Sequence, residues 1–338
     1  MFTESMLDEL LSRPSAALIS DIKKLDGDIM IIGAGGKVGP TLAVMAKRAV
    51  QEAGLDKRVI AVSRFSDPLA ADMLAKAGVE MIACDLSKPD EIRALAKIKN
   101  IIYMLGRKFG TTGNAHETWM TNVCIPAYVT EHFEDARYVV FSTGNVYPFS
   151  EVALGGSVET DAPDPVGEYA MSCLGRERVF ENAAKKYGAS VLMYRLNYAI
   201  DLRYGVLCDM GNSILSGKPI GLRSPAFNCV WQGYANEVAL RSLLLASKDV
   251  EYLNVTGPET VSVVRAADAL GKLLGKQPLF EGEPTNKALL SNAGKCMQLF
   301  GYPSVSVQEL ISWQAEWLLS GGRLLNKPTH FEERKGNF

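Results

Sequence analysis

Asp28-Ile-Met-Ile-Ile-Gly33-Ala-Gly35-Gly36-Lys37-Val38-Gly39 is the stretch that decides the fold. Residues 28–32 form an apolar run of strand length, and residues 41–53 read as a helix. Between them, a Gly-x-x-Gly-x-x-Gly turn lets backbone N–H groups approach a pyrophosphate at a helix N-terminus. Strand, glycine turn and helix in that order are the context a dinucleotide fingerprint requires. The turn makes Gly33, Gly35, Gly36, Lys37, Val38 and Gly39 candidate cofactor residues. A turn used only for close helix–strand packing is the alternative.

Downstream, strands at 58–62, 79–84, 100–105 and 190–196, with the run Val139-Val140-Phe141, alternate with helices at 72–77, 91–98, 118–133 and from 167 onward. That alternation predicts an α/β fold, a doubly wound parallel sheet of Rossmann type with its ligand outside the carboxyl ends of the strands. Residues 1–27 read as an added helical segment, packed on the domain or on a partner subunit. Residues 28–196 are the dinucleotide-binding domain, and 228–256 return to it, with 228–231 as a further strand of the main sheet. Residues 197–227 and 257–338 make a smaller C-terminal lobe for substrate, with helices at 262–274 and 306–319. The tail from 327 is polar and has no readable fold.

The second strand ends in Ser63-Arg64. An acidic residue there would hold ribose hydroxyls and repel a 2′-phosphate, whereas a guanidinium suits that phosphate. NADP is therefore the preferred cofactor and NAD the alternative, unless Arg64 is a solvated surface residue.

Composition narrows the function. A formal net charge of -2 over 338 residues gives no general attraction to nucleic acid or anionic lipid. No apolar stretch reaches membrane-spanning length, and residues 1–9 lack signal-peptide order. Six cysteines without a Cys-x-x-Cys pair read as reduced thiols in a cytoplasmic protein. Three scattered histidines have no metal-ligand spacing; no metal is expected.

A second stretch carries chemistry. Residues 138–147 read Tyr-Val-Val-Phe-Ser142-Thr143-Gly-Asn145-Val-Tyr147, and Gly-Glu-Tyr169-Ala-Met-Ser-Cys173-Leu-Gly-Arg176 follows a proline-containing loop. Thr143 stands four residues before Tyr147, and Tyr169 lies in the first turn of a helix. This pattern resembles the extended branch of the short-chain dehydrogenase/reductase family, the NAD-dependent epimerase/dehydratase type. The resemblance implies hydride transfer at a carbinol or carbonyl carbon of a sugar-like or sugar-nucleotide substrate. Tyr169 would be the acid/base, and Thr143 would hydrogen-bond the same oxygen. It further implies cofactor contacts from Asp85, Leu86, Leu105, Gly106, Ser142 and Asn197. Substrate contacts would come from Thr143, Asn145, Asn197 and Arg203. A homodimer would form through helices near 118–133 and 168–186, which carry Trp119, Val123, Val129, Leu174 and Phe180.

The family's lysine four residues after the tyrosine is Cys173 here. A free phenol has a pKa near about 10, and the lysine's charge favours phenolate. Three readings follow. Another cation replaces the lysine, with Lys108 ranked above Arg176: Lys108 is an ammonium in the loop after the fourth strand, which the resemblance places beside the nicotinamide ribose, whereas Arg176 is bulkier and lies two helical turns from the tyrosine. Alternatively, the chain is a dinucleotide-binding protein used for sensing or assembly, or Cys173 is itself a nucleophile.

Overall fold

A computed structural model of the chain describes residues 2–108, 110, 113–327 and 329–336. Seven strands form the central sheet: β1 (Ile29–Ile32), β2 (Val59–Ser63), β3 (Glu80–Ala83), β4 (Asn100–Tyr103), β5 (Arg137–Thr143), β6 (Ser190–Leu196) and β7 (Glu251–Val255). Their order is β7-β6-β5-β4-β1-β2-β3, and every neighbouring pair is parallel. The order reverses between β1 and β4, which places the ligand crevice at the carboxyl end of β1.

The apolar run 29–32 has no polar residue because β1 is buried on both faces. Side chains alternate along a strand. Ile29 and Ile31 join the core on one face of the sheet, Met30 and Ile32 the core on the other.

The chain begins with α1 (Glu4–Ser12) and α2 (Ala16–Ile22), and α3 (Gly39–Glu52) follows the glycine turn. Next come α4 (Pro68–Lys76) and α5 (Pro89–Arg93). The helix expected at 118–133 is α6 (Ala115–Trp119), a π-helical turn Met120–Cys124 and α7 (Ile125–His132) run together. Then α8 (Gly167–Tyr187) carries Tyr169 and ends at Gly188, a left-handed C-cap. The smaller lobe holds α9 (Val206–Ser216), α11 (Val263–Leu274) and α13 (Val307–Leu319), while α10 (Gln232–Arg241) packs under the sheet and α12 (Gly294–Phe300) beside β7. A capping box, Ser306 with Glu309, starts α13.

The added N-terminal segment packs on both bodies. Leu18 and Ile22 of α2 join the core under the sheet, and Leu7 and Leu11 of α1 join the lobe core with Val206, Leu270 and Trp317. Arg48 of α3 clamps Glu9 of α1 with two hydrogen bonds, of 2.6 and 2.8 Å.

Three expectations are corrected. Residues 228–231 do not enter the main sheet: Val230–Trp231 pair with Ala199–Ile200 in a separate ladder, and Glu251–Val255 supplies the seventh strand. Arg203 does not present its charge to a substrate. Its buried guanidinium bonds both carboxylate oxygens of Asp201 at 2.9 Å and Asp8 at 2.8 Å. Val129 and Phe180 are fully buried in the monomer core, which leaves Trp119, Val123 and Leu174 for a dimer face.

One buried ion pair ties α8 to the sheet. Arg195 of β6 donates to Glu177 of α8 through Nη2 at 2.7 Å and Nε at 3.0 Å, with side-chain exposures of 3% and 0%. Ser142 of β5 donates to the same carboxylate at 2.6 Å, and Arg195 Nη1 donates to the Tyr147 hydroxyl at 2.6 Å. Removing one partner of such a pair strands a charge in the core, whereas removing both does not. Arg195→Met should therefore lower the unfolding free energy by about 3–5 kcal/mol. Arg195→Met with Glu177→Leu should recover most of it. Urea denaturation measures both, and a double variant as unstable as the single one contradicts the assignment.

Candidate active site

A cleft of about 1510 Å³ opens between the sheet's carboxyl edge and the smaller lobe. The glycine turn forms one wall. At Gly33, φ is +88°, and an added Cβ would stand 2.6 Å from the Leu105 backbone nitrogen; Gly39 is closed against Ala34. A Cβ on Gly35 would meet the Ser63 hydroxyl at 2.5 Å. Packing accounts for all three. Gly36 differs: it is exposed, and a Cβ there meets only Gly33 O, at the ordinary distance of 3.5 Å. No side chain caps α3, so its first N–H groups stay open to an anion in the cleft. The turn therefore fits a dinucleotide pyrophosphate, with Gly36 as the point of closest approach.

Thr143 ends β5 and Tyr169 opens α8, and both line the cleft. The Thr143 hydroxyl and the Cys173 thiol, one turn further along α8, both act on the Tyr169 phenol. Burial pushes the Tyr169 phenol well above its ordinary pKa, and the thiol adds to this; Arg176 and the Thr143 hydrogen bond oppose it. Burial likewise raises the Cys173 thiol, against the pull of Arg176. A neutral, enclosed thiol is not a nucleophile.

Two cations flank the tyrosine. Behind it, Arg176 donates to Phe141 O at 2.8 Å and to Asn122 Oδ1 at 2.7 Å, under Gly106. Asn122 sits in the π-helical turn and also exchanges hydrogen bonds with both backbone groups of Arg107, at 2.8 and 3.0 Å. It thereby joins the loop after β4 to α8. Toward the cleft, Lys108 Nζ lies 5.9 Å from the Tyr169 ring centroid and donates to Thr329 O at 3.0 Å. Burial pushes the Lys108 ammonium down to about 8. Lys37 Nζ stands 3.4 Å over the Tyr204 ring; burial, then Lys108 and Lys327, push it down to about 7. Asp209 faces these lysines and accepts from Thr329 N and Oγ1 at 2.7 and 2.6 Å.

The structure brings Gly33, Gly35, Gly36, Lys37, Val38, Gly39, Gly106, Lys108, Ser142, Thr143, Asn145, Tyr169, Asn197 and Arg203 to the cleft wall. Ser142 lines it but spends its proton on Glu177. Asn197 is buried behind Gly144. Ser63, Arg64, Asp85, Leu86 and Leu105 are outside the lining, at the ends of β2, β3 and β4. Arg64 is exposed; Asp85 is held below the usual carboxylate range by hydrogen bonds from Ser87, with help from Arg64. Phe109, in the loop expected beside the nicotinamide, lies outside the described residues, as does Pro328 of the tail. Asp209 and Thr329 had no local signal in the sequence, because only the folded tail brings them together. No helix among the described residues is long and apolar enough to cross a membrane, and no cluster of three metal-ligating side chains occurs among them.

The sequence pattern of the NAD-dependent epimerase/dehydratase family matches residues 29–219, more than half of the chain. Among solved structures, the UDP-glucose 4-epimerase of Thermotoga maritima, with UDP-glucose, is 17% identical. It covers 87% of this chain and 99% of its own, with a TM-score of 0.70. The UDP-glucuronic acid 4-epimerase of Bacillus cereus, with NAD, is 15% identical over 92% and 100% of the two chains, with a TM-score of 0.70. The UDP-glucose 4-epimerase of Thermus thermophilus, with NAD, is 16% identical over 86% and 98%, with a TM-score of 0.69. No curated protein matches the chain in sequence.

Gly36→Val separates fold from binding. Its side chain meets no protein obstruction, so thermal stability should change little, while nicotinamide dinucleotide affinity should fall by at least about 100-fold, or about 2.7 kcal/mol. Calorimetric titration reads the affinity; a variant that binds normally removes the turn from the cofactor site.

Proposed function

The chain belongs to the NAD-dependent epimerase/dehydratase family of enzymes, and on that premise we propose that it transfers a hydride at a carbinol or carbonyl carbon of a carbohydrate-like substrate. The observation that carries the reading is the pairing of Thr143, at the end of β5, with Tyr169, in the first turn of α8, both facing the cleft beside the glycine turn. Bound in that turn, a nicotinamide dinucleotide supplies the hydride acceptor or donor. Gly36, Lys37 and the N-terminus of α3 would hold its phosphates, and Lys108 its nicotinamide ribose.

Tyr169 moves the proton at the substrate oxygen, and Thr143 donates a second hydrogen bond to that oxygen. The phenol is held neutral well above its ordinary range, so at neutral pH it is ready to give a proton. Oxidation needs phenolate, and Arg176 and Lys108 are the cations that favour it in place of the family's lysine. The carbohydrate class is supported by the UDP-glucose and UDP-glucuronic acid named with the solved relatives. At the adenosine end, Ser63-Arg64 in place of an acidic residue after β2 supports NADP over NAD. Arg64→Ala should weaken NADP about tenfold or more and leave NAD unchanged; titrations showing native preference for NAD, or equal loss for both, reject that preference.

Turnover of a mixed set of sugars and polyols, followed by nicotinamide absorbance, tests the whole. Tyr169→Phe should reduce it about 100- to 10,000-fold without loss of cofactor affinity. A raised phenol pKa means that the base form grows only as pH climbs, so oxidation should rise continuously from about pH 7 to about pH 10. Lys108→Met should lower turnover most below about pH 8, where the ammonium is charged. If both variants keep wild-type turnover, the catalytic assignment fails.

A further inference from the structure

The polar tail crosses the outer half of the cleft. It enters beside Lys108 and Asp209, where Thr329 is bonded to both. Phe331 is 8% exposed and packs on Phe227 in the lobe core, with ring centroids 6.4 Å apart. Beyond it, Arg334 Nη1 donates to the carbonyls of Arg223 and Lys287, each at 2.8 Å, and its guanidinium lies 4.2 Å from the Phe149 ring centroid. The strap ends against the first residue of α8: a Cβ on Gly167 would stand 2.6 Å from the Gly336 Cα. Residues 329–336 thus touch the sheet body and the lobe in turn, with the α8 turn that carries Tyr169 at one end.

Geometry limits what fits underneath. One way outward for a substrate that offers a carbon to Thr143 and Tyr169 runs past Asn145 and Tyr198 toward Leu289. There the strap leaves a cavity of about 20 Å³. That holds about one water molecule, whereas ligand sites measure about 300–1,000 Å³. The other way out, past Asp201, Asp8 and Glu4, is walled by three carboxylates against two cations: Arg203, already engaged by all three, and Arg323, held by Glu4. A diphosphate is repelled there.

Resting on the hydride-transfer reading above, we infer that the strap sets the substrate class: a compact carbohydrate or polyol with no nucleotide attached, enclosed between Tyr169 and Thr329. It lengthens the lobe's wall where a nucleoside diphosphate would otherwise leave the reacting carbon.

The test is a binding measurement, so it does not depend on turnover. NAD-loaded full-length protein and NAD-loaded protein ending at Lys327 are titrated with UDP and UDP-glucose. The full chain should bind neither at millimolar concentration, and the shortened chain should bind both at least tenfold more tightly. Phe331→Ala with Arg334→Ala, in the intact chain, should shift affinity in the same direction and speed amide exchange at 329–336, which covers the case of a shortened chain that fails to fold. Equal affinity in full and shortened chains, or no binding by either the shortened chain or the double variant, overturns the inference. Failure of free sugars and polyols to be oxidised or reduced would instead strike the hydride-transfer reading, leaving the binding result to stand on its own.

Discussion

The geometry of the cleft depends on one pair of charges buried where water cannot reach them. Removing Glu177 and Arg195 from water costs several kcal/mol per ion, and their attraction offsets that cost only if the remaining hydrogen-bonding groups are met. Here the guanidinium is met by Glu177 and Tyr147, and the carboxylate by Arg195 and Ser142. Ser142 and Thr143 are consecutive on β5, and the strand's alternation divides their tasks. One hydroxyl locks the ion pair, and the next meets the phenol of Tyr169. The helix that carries the phenol is therefore held by the strand that carries its partner, and the two cannot shift independently.

Much of the fold was legible because its signals are local. The apolar run of β1, the glycine turn after it and the Thr143–Tyr169 spacing each lie within a few dozen residues, and the strand periodicity followed from burial on both faces. What the sequence did not disclose was long-range. The position of 228–231 failed because Val230 and Trp231 are as apolar as a sheet strand while pairing with Ala199 and Ile200 instead. Arg203 looked like an anion site in isolation, yet its partners include Glu4 and Asp8, nearly two hundred residues earlier. The ranking of Arg176 behind Lys108 rested in part on axial rise, which understates the reach of an arginine. Helical side chains lean toward the N-terminus, and a long arginine covers the turn before its own Cα. The guanidinium of Arg176 thus reaches back to Phe141 and Asn122 and acts on the Tyr169 phenol.

Charge in the cleft is arranged unevenly. Lys37, Lys108 and Lys327 interact across it, with Asp209 as a nearby acid. Crowded, half-buried ammonium groups lose protons easily, so the cleft is a poor place for a cation and a favourable one for the phosphates of a dinucleotide. Cys173 adds nothing to this field while neutral. The cation that acts on the phenol is Arg176, behind it, while Lys108 Nζ stands 5.9 Å from the ring centroid on the cleft side.

The first helix gives the two bodies a common fate. Leu7 and Leu11 complete the lobe's core, the next helix adds Leu18 and Ile22 to the core under the sheet, and the Arg48–Glu9 clamp fastens the segment to α3. Neither body can lose its structure without exposing apolar surface that belongs to the other. Coupling of this kind converts what would be two separate melting units into one cooperative unit. The N-terminal helices, which also bring Glu4 and Asp8 to the cleft wall, thereby couple the unfolding of the two bodies.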